Sequence, residues 1–156
     1  MKRVAPFFLS YAHRDSADVE RLRGVLAPLL KTSPEFAFGE WIDRRILPGE
    51  HWRAEIERGL ESSRFGLLLV SPEFLASEFI TLNELPPLLA KPILVPVALQ
   101  RVAFDGTMDL KGLEERQMFL DSKGRPFDGC RSMPDRRKFA MELFIKIIAL
   151  LKRYPC

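Results

Sequence analysis

The run Phe65-Gly66-Leu67-Leu68-Leu69-Val70 is apolar at every position. A strand with one wet face alternates polar and apolar residues, so an unbroken run of this kind belongs to a strand covered on both faces, as in a parallel sheet. Helices must then flank it, and the chain supplies them. Phe7 to Tyr11, Phe36 to Asp43 and Ile93 to Leu99 read as further strands, separated by helical patterns in the order that builds repeated βα units. The expected architecture is an open parallel α/β sheet with helices on both faces, its centre at 65–70.

The helical segments carry their own punctuation. Val19, Leu22, Val25, Leu26, Leu29 and Leu30 recur at helical spacing after Asp15 and Ser16, either of which can cap the start, and Pro28 predicts a kink or a stop. Trp52, Ile56 and Leu60 fall on one face of a short helix. Ser71-Pro72 is a helix start, since the hydroxyl accepts an orphan N–H and proline occupies the first turn without loss. That helix is expected to run to about Leu85, where Pro86 and Pro87 disfavour continuation. Pro96 marks its strand as an edge or a strand end. Phe139, Leu143, Phe144, Ile147, Ile148 and Leu151 form the stripe of a final helix, with Lys152 and Arg153 at the negative end of its dipole. Residues 101–133 show no period, and no element is predicted there.

Composition narrows the class. With 156 residues, 47% hydrophobic and 29% charged, the chain fits one globular domain with enough core to stand without staples. Cys130 and Cys156 therefore read as free thiols, in keeping with a cytoplasmic setting. The longest apolar stretch is broken by Glu142 and Lys146, too early for a membrane span, and the signal-like start at Met1–Leu9 is cut short by the polar Ser10–Asp15 segment. The net charge of +3 comes from interspersed charges, with a cluster only at Arg136-Arg137-Lys138. Neither a nucleic-acid nor a membrane partner is expected.

In a sheet of this kind the functional crevice lies beyond the carboxyl ends of the strands. That directs attention to Ser10–Asp15, Asp43–Gly49 and Ser71–Glu84. No glycine-rich dinucleotide fingerprint or P-loop is present. His13 and His51 stand apart from any metal-ligand spacing and receive no role, so no metal or cofactor is expected. A phosphoacceptor domain would need acidic residues where Ser10, Tyr11 and Ser71 stand. The residue singled out is Glu84. It follows Ser77 by seven positions with Thr81 between, so the three can share a polar helix face, while Leu75, Phe79 and Leu82 can pack inward. A carboxylate held at a crevice rim can stabilise a developing cation. On spacing alone, a solvated helix glutamate is the commoner reading.

Three stretches carry a resemblance. Phe7-Phe8-Leu9-Ser10-Tyr11-Ala12-His13-Arg14-Asp15 resembles the first-strand box of TIR domains. Trp41-Ile42-Asp43-Arg44-Arg45-Ile46-Leu47-Pro48-Gly49-Glu50-His51-Trp52 is similar to their second box, in which Trp and Asp end strand two and the BB loop carries Pro-Gly. Leu68-Leu69-Val70-Ser71-Pro72-Glu73-Phe74-Leu75-Ala76-Ser77, followed by Glu84-Leu85, resembles the third-strand and glutamate-bearing helix of bacterial TIR proteins. One departure stands out: where many TIR domains place Trp four residues before the glutamate, this chain has Ile80, with Phe79 adjacent. Glu78 is accordingly a second, weaker candidate for the glutamate's role.

The resemblance implies a flavodoxin-like sheet of about five strands, and NAD⁺ as substrate rather than as cofactor. The implied reaction is cleavage of the nicotinamide–ribose bond, which passes through an oxocarbenium-like state that a nearby carboxylate stabilises or traps. Glu84 would take that catalytic role, with Ser77 a ribose or nicotinamide contact. Phe8, Ser10 and Tyr11 would line the pocket from the first strand. Trp41, Asp43 and Arg44 or Arg45 would face them, an arginine meeting the pyrophosphate. The BB-loop residues Ile46, Leu47, Pro48 and Gly49 would contact a neighbouring TIR domain head to tail, and activity would require that assembly. The implied setting is a single TIR domain excised from a longer chain with a sensor, acting as effector in bacterial antiphage immunity. Two alternatives remain open: a non-enzymatic TIR scaffold, and a synthase releasing cyclised instead of linear ADP-ribose.

Overall fold

A computed structural model describes residues 1–41, 49 and 51–155. Four parallel strands, β1 (Arg3–Ser10), β2 (Phe36–Trp41), β3 (Phe65–Val70) and β4 (Leu94–Ala98), form one sheet in the order β2-β1-β3-β4. All pairings are parallel, with Ser10 opposite Leu68 where β1 meets β3. β3 is buried along its whole length, as its sequence requires. About five strands were expected, and among the described residues four are found. Beyond β4 the chain makes a single parallel bridge, Val97 to Phe119, with Phe119 N–H donating to Pro96 C=O at 2.7 Å. Pro96 has no N–H of its own, which suits β4 to the margin of the sheet.

Helices α1 (Ser16–Lys31) and α5 (Met133–Arg153) cover one face of the sheet. The other face carries α2 (Trp52–Ser62), α3 (Pro72–Ala76) and α4 (Leu85–Leu89). Strand side chains alternate between faces. Ala5, Phe7, Leu9, Leu67 and Leu69 therefore meet Leu22, Leu26, Leu143 and Ile147 in one core. Phe8, Leu68 and Val70 meet Ile56, Leu60, Phe74 and Leu88 in the second. The α5 stripe is the one the spacing predicts: Phe139, Leu143, Ile147 and Leu151 are buried, with Phe144 and Ile148 packed beside them.

Several expectations are corrected. Of the kink or stop expected at Pro28, the stop does not occur, and α1 continues to Lys31. The missing N–H lies so near the helix end that only one further turn depends on it. The helix starting at Pro72 ends at Ala76, capped as expected by Ser71 Oγ accepting from Phe74 N–H at 3.0 Å. The chain resumes as a π-helical turn, Ile80–Glu84, in which Leu85 N–H reaches back to Ile80 C=O. It then passes through Pro86 and Pro87 into α4 instead of ending before them. Both prolines fall in the first turn of α4, where no N–H is needed. This break at Ser77 turns Phe79 and Leu82 to solvent, at 38% and 73% exposure, although a single continuous helix would have packed them inward. Trp52, expected on the inner face of α2 with Ile56 and Leu60, is 45% exposed. Asp15 is the N-cap residue of α1, but its side chain makes no capping bond. The second strand was expected to reach Asp43; that residue, with Arg44, Arg45, Ile46, Leu47, Pro48 and Cys156, lies outside the described residues.

Candidate active site

The strand order places β2 on one side of β1 and β3 on the other, so the topological switch point lies between β1 and β3. At the carboxyl ends of these strands opens a cleft of about 760 Å³, within the range of small-molecule sites. Among the described residues, Tyr11, Ala12, His13 and Arg14 border it from the end of β1. Trp52 and Ile56 border it from α2, and Glu73, Ala76, Ser77, Phe79, Ile80 and Glu84 from the segment after β3.

Glu84 is the buried acid of this cleft, at 4% exposure. Two local features put it there. Alternation along β1 sends Ser10 to the same sheet face as Phe8, beneath the helices that follow β3. The π turn then rotates Glu84 inward, and Ser10 Oγ donates to Glu84 Oε1 at 2.7 Å across 74 positions of sequence. π turns are rare and recur at functional sites, because they re-aim one side chain without ending the helix. Withdrawing a carboxylate from water is unfavourable unless it is hydrogen-bonded, so the Ser10 donor makes the burial tolerable.

Ser77 serves the same turn. Its hydroxyl accepts from Ile80 N–H at 3.2 Å, and its carbonyl accepts from Thr81 Oγ1 at 2.9 Å. Of Ser77, Thr81 and Glu84, expected on one polar face, Ser77 and Glu84 border the cleft and Thr81 is not among its residues; a π turn and not a regular helix sets their positions. Tyr11 borders the cleft as well, with its ring 5.8 Å from that of His13.

Phe8 and Trp41 do not border this cleft. Phe8 is buried and stacks on Trp41 with centroids 4.8 Å apart and planes 12° from parallel. The Trp41 ring in turn covers Gly59, where a β-carbon would come within 2.4 Å of it. Phe8 also lines a small cavity with Leu9, Tyr11 and Glu84, and Trp41 is part-buried. Asp43, Arg44 and Arg45 fall outside the described residues, as do Ile46, Leu47 and Pro48 of the BB loop; Gly49 is described and takes φ +92°, a left-handed turn conformation that glycine adopts readily. Glu78, the second candidate acid, is exposed and not among the cleft residues. The segments named from sequence contain His13, Arg14, Glu73 and Phe79 without giving these side chains a cleft role, and Trp52 lies outside them. Their signal was weak because their exposure depends on where the chain breaks, which periodicity does not report.

A second buried carboxylate supports the site from below. Asp15 accepts from Ser71 Oγ and, at 3.3 Å, from Gln100 Nε2, so it ties the turn after β1 to the ends of β3 and β4. Burial pushes its carboxyl above the ordinary value; the Ser71 hydroxyl opposes this, and the charges of Asp18 and Glu73 add to it. The folded chain therefore holds this proton more tightly than the unfolded chain does. The stability that Asp15 contributes is fullest below about pH 3.8 and is lost as pH rises through the raised folded value. Asp15→Asn is expected to remove that loss: its unfolding midpoint relative to wild type should shift upward between pH 4 and pH 7 in paired thermal melts. A difference that stays constant or shrinks over that range would contradict the assignment.

Among the described residues, no group of three or more His, Cys, Asp or Glu side chains converges as a metal site would. None of their helices is long and apolar enough to cross a membrane. A doubly wound parallel domain with a buried acid in its switch-point cleft is the class these observations define. The family model for the TIR domain matches residues 7–129, and the chain belongs to the TIR family. No curated protein matches it significantly.

Proposed function

We propose that this TIR domain cleaves the nicotinamide–ribose bond of NAD⁺. The observation that carries the reading is Glu84, a carboxylate buried in the cleft wall and hydrogen-bonded to Ser10. The reaction needs little else. Nicotinamide leaves as a neutral molecule and takes the bonding electron pair, so no general acid must protonate it. The remaining ribosyl centre is cationic, and a fixed negative charge in a site of low dielectric lowers the energy of that state. Water then adds at the ribose carbon and releases one proton, giving ADP-ribose. Capture by the adenine of the same molecule would give the cyclic product through the same first step.

Ser77 and Tyr11, both on the cleft, are suited to the ribose hydroxyls, and Ser10 holds the carboxylate in place. Arg14 brings a cation to the β1 side of the cleft, 4.0 Å from Glu73. It can share the pyrophosphate with Arg44 or Arg45. Assembly through Ile46, Leu47, Pro48 and Gly49 would set the level of activity. A head-to-tail contact between copies is heterologous and extends into a filament unless rotation closes it. A sensor elsewhere in a longer chain, in the setting of bacterial antiphage defence, would supply the trigger.

The test is incubation of NAD⁺ with the domain at nanomolar concentration and again when artificially clustered, with products separated by chromatography. Equimolar nicotinamide and ADP-ribose, or its cyclic form, are expected, with turnover per subunit rising on clustering. Absence of product from the clustered protein would leave the TIR scaffold as the better reading. Equal turnover in both states would remove the assembly requirement.

A further inference from the structure

We propose that the outer edge of β2, together with the groove beside it, docks an extended acidic segment of another protein by strand addition. The surface lies apart from the cleft, and the proposal does not rest on the NAD⁺-cleaving reading.

The two margins of the sheet differ. At β4 the edge is closed off: Pro96 has no N–H, Phe119 N–H donates to Pro96 C=O at 2.7 Å, and Ala98 N–H donates to Phe119 C=O at 2.9 Å. At β2 neither device is found. Among the described residues no strand lies beyond it, and Phe36-Ala37-Phe38-Gly39-Glu40-Trp41 contains no proline and no lysine. Natural edge strands normally carry such protection, because open N–H and C=O groups accept a further strand. The register identifies those groups. Arg3 lies opposite Phe36 and donates to Glu35 C=O at 2.8 Å, so Ala37 and Gly39 turn their backbone groups to β1, and Phe36, Phe38 and Glu40 turn theirs outward. Ser33 Oγ accepts from Phe36 N–H at 3.0 Å, which leaves Phe38 and Glu40 to present both donor and acceptor.

On the α1 side of this edge lies a groove of about 590 Å³, bordered by Phe36 and Phe38 of β2, by Ala27 and Leu30 of α1, and by Lys2 and Lys31. Side chains of a strand alternate between faces, so every second residue of an added strand would stand over this groove, where an apolar side chain fits Phe38 and Leu30. Charge selects the rest of the partner. Arg23 and Glu40 also border the groove, but they hold each other, Arg23 Nε donating to Glu40 Oε2 at 2.9 Å. Lys2 and Lys31, both exposed, set its net charge. An extended segment with alternating apolar residues and acids at one end meets the open backbone, the groove and the two lysines together. A second copy of β2 does not, since its one acid, Glu40, is already held by its own Arg23.

The probes are the fluorescein-labelled peptide Asp-Glu-Val-Thr-Val-Thr-Val and its reverse, Val-Thr-Val-Thr-Val-Glu-Asp, because a strand can add in either direction. Fluorescence anisotropy is followed as each is titrated with the whole chain. Saturable binding of at least one is expected, with the half-saturating concentration raised at least tenfold by Lys2→Glu combined with Lys31→Glu. Should that variant fail to fold in matched thermal melts, weakening of wild-type binding between about 0.05 and 0.5 M NaCl reads the same charge contribution. In an added strand only alternate amides face β2. N-methylation of one alternate set of peptide amides is therefore expected to abolish binding, while methylation of the other set leaves it within threefold. Unchanged anisotropy with both peptides, or equal loss from both methylated sets, would overturn strand addition. Binding indifferent to charge reversal and to salt would overturn the acidic partner. A dimer of the chain in sedimentation that Phe38→Lys disperses would overturn the choice of another protein over a second copy.

Discussion

Glu84→Gln is expected to lower NAD⁺ cleavage by the clustered protein at least ~100-fold, equivalent to about 2.7 kcal/mol of transition-state stabilisation. The substitution keeps the shape of the side chain. Ser10 Oγ now donates to Glu84 Oε1, and it can donate equally to the amide oxygen of glutamine, so the contact between β1 and the π turn survives. What disappears is the negative charge opposite the developing ribosyl cation. At 4% exposure that charge is poorly screened by water, which makes its removal felt in the chemical step. The expected signature is a fall in kcat with KM nearly unchanged, because the ground-state contacts lie on other groups. Product chromatography on wild type and variant, with matched thermal melts, measures both. Cleavage by the variant within a fewfold of wild type would remove Glu84 from the reaction, and with it the enzymatic reading.

The route to Glu84 shows which parts of this site are legible in a sequence. The strand cores are legible because burial on two faces leaves an unbroken apolar run at Phe65–Val70 and places Ser10 on the same face as Phe8. The start of α3 is legible because Ser71 and Pro72 are each suited to one position of a helix terminus. The family motifs then locate Glu84 along the chain, but not how it is buried. A regular helix from Pro72 to Leu85 would have turned Phe79 and Leu82 inward. The actual chain breaks at Ser77, widens into a π turn and enters α4 through two prolines, and this turns Glu84 in and Phe79 out. No periodic pattern encodes such a shift, since it arises from competition between local bonds at Ser77 and packing of Ile80 and Leu85 beneath. Trp52 is a similar case: its spacing from Ile56 is that of a core residue, but it lies at the helix start, beyond the reach of the core.

The second large effect concerns stability. Residues 101–133 have no hydrophobic period and fold mainly as turns, with the 3₁₀ turns Leu113–Glu115 and Phe127–Gly129. Their order depends on partners elsewhere, and Phe139 of α5 is the chief of these. Fully buried, it meets Phe119 edge-on at 5.1 Å and Phe127 at 5.3 Å, joining α5 to the bridge beside β4 and to the turn that follows. Phe139→Ala removes a buried ring and two aromatic pairs, and such truncations destabilise by about 3–5 kcal/mol. For a domain of this size that corresponds to a fall in Tm of roughly 6–20 °C. Ile145→Ala on the same helix, at 60% exposure, should change stability by no more than ~0.5 kcal/mol. Amide exchange should also separate the regions: in Phe139→Ala, protection should fall first at 118–130 and last in β1 and β3, because both aromatic pairs that Phe139 makes are with this segment. Equal losses from the two substitutions in denaturant melts, or uniform loss of protection, would mean that the segment after β4 is held by its own hydrogen bonds and not by the aromatic cluster.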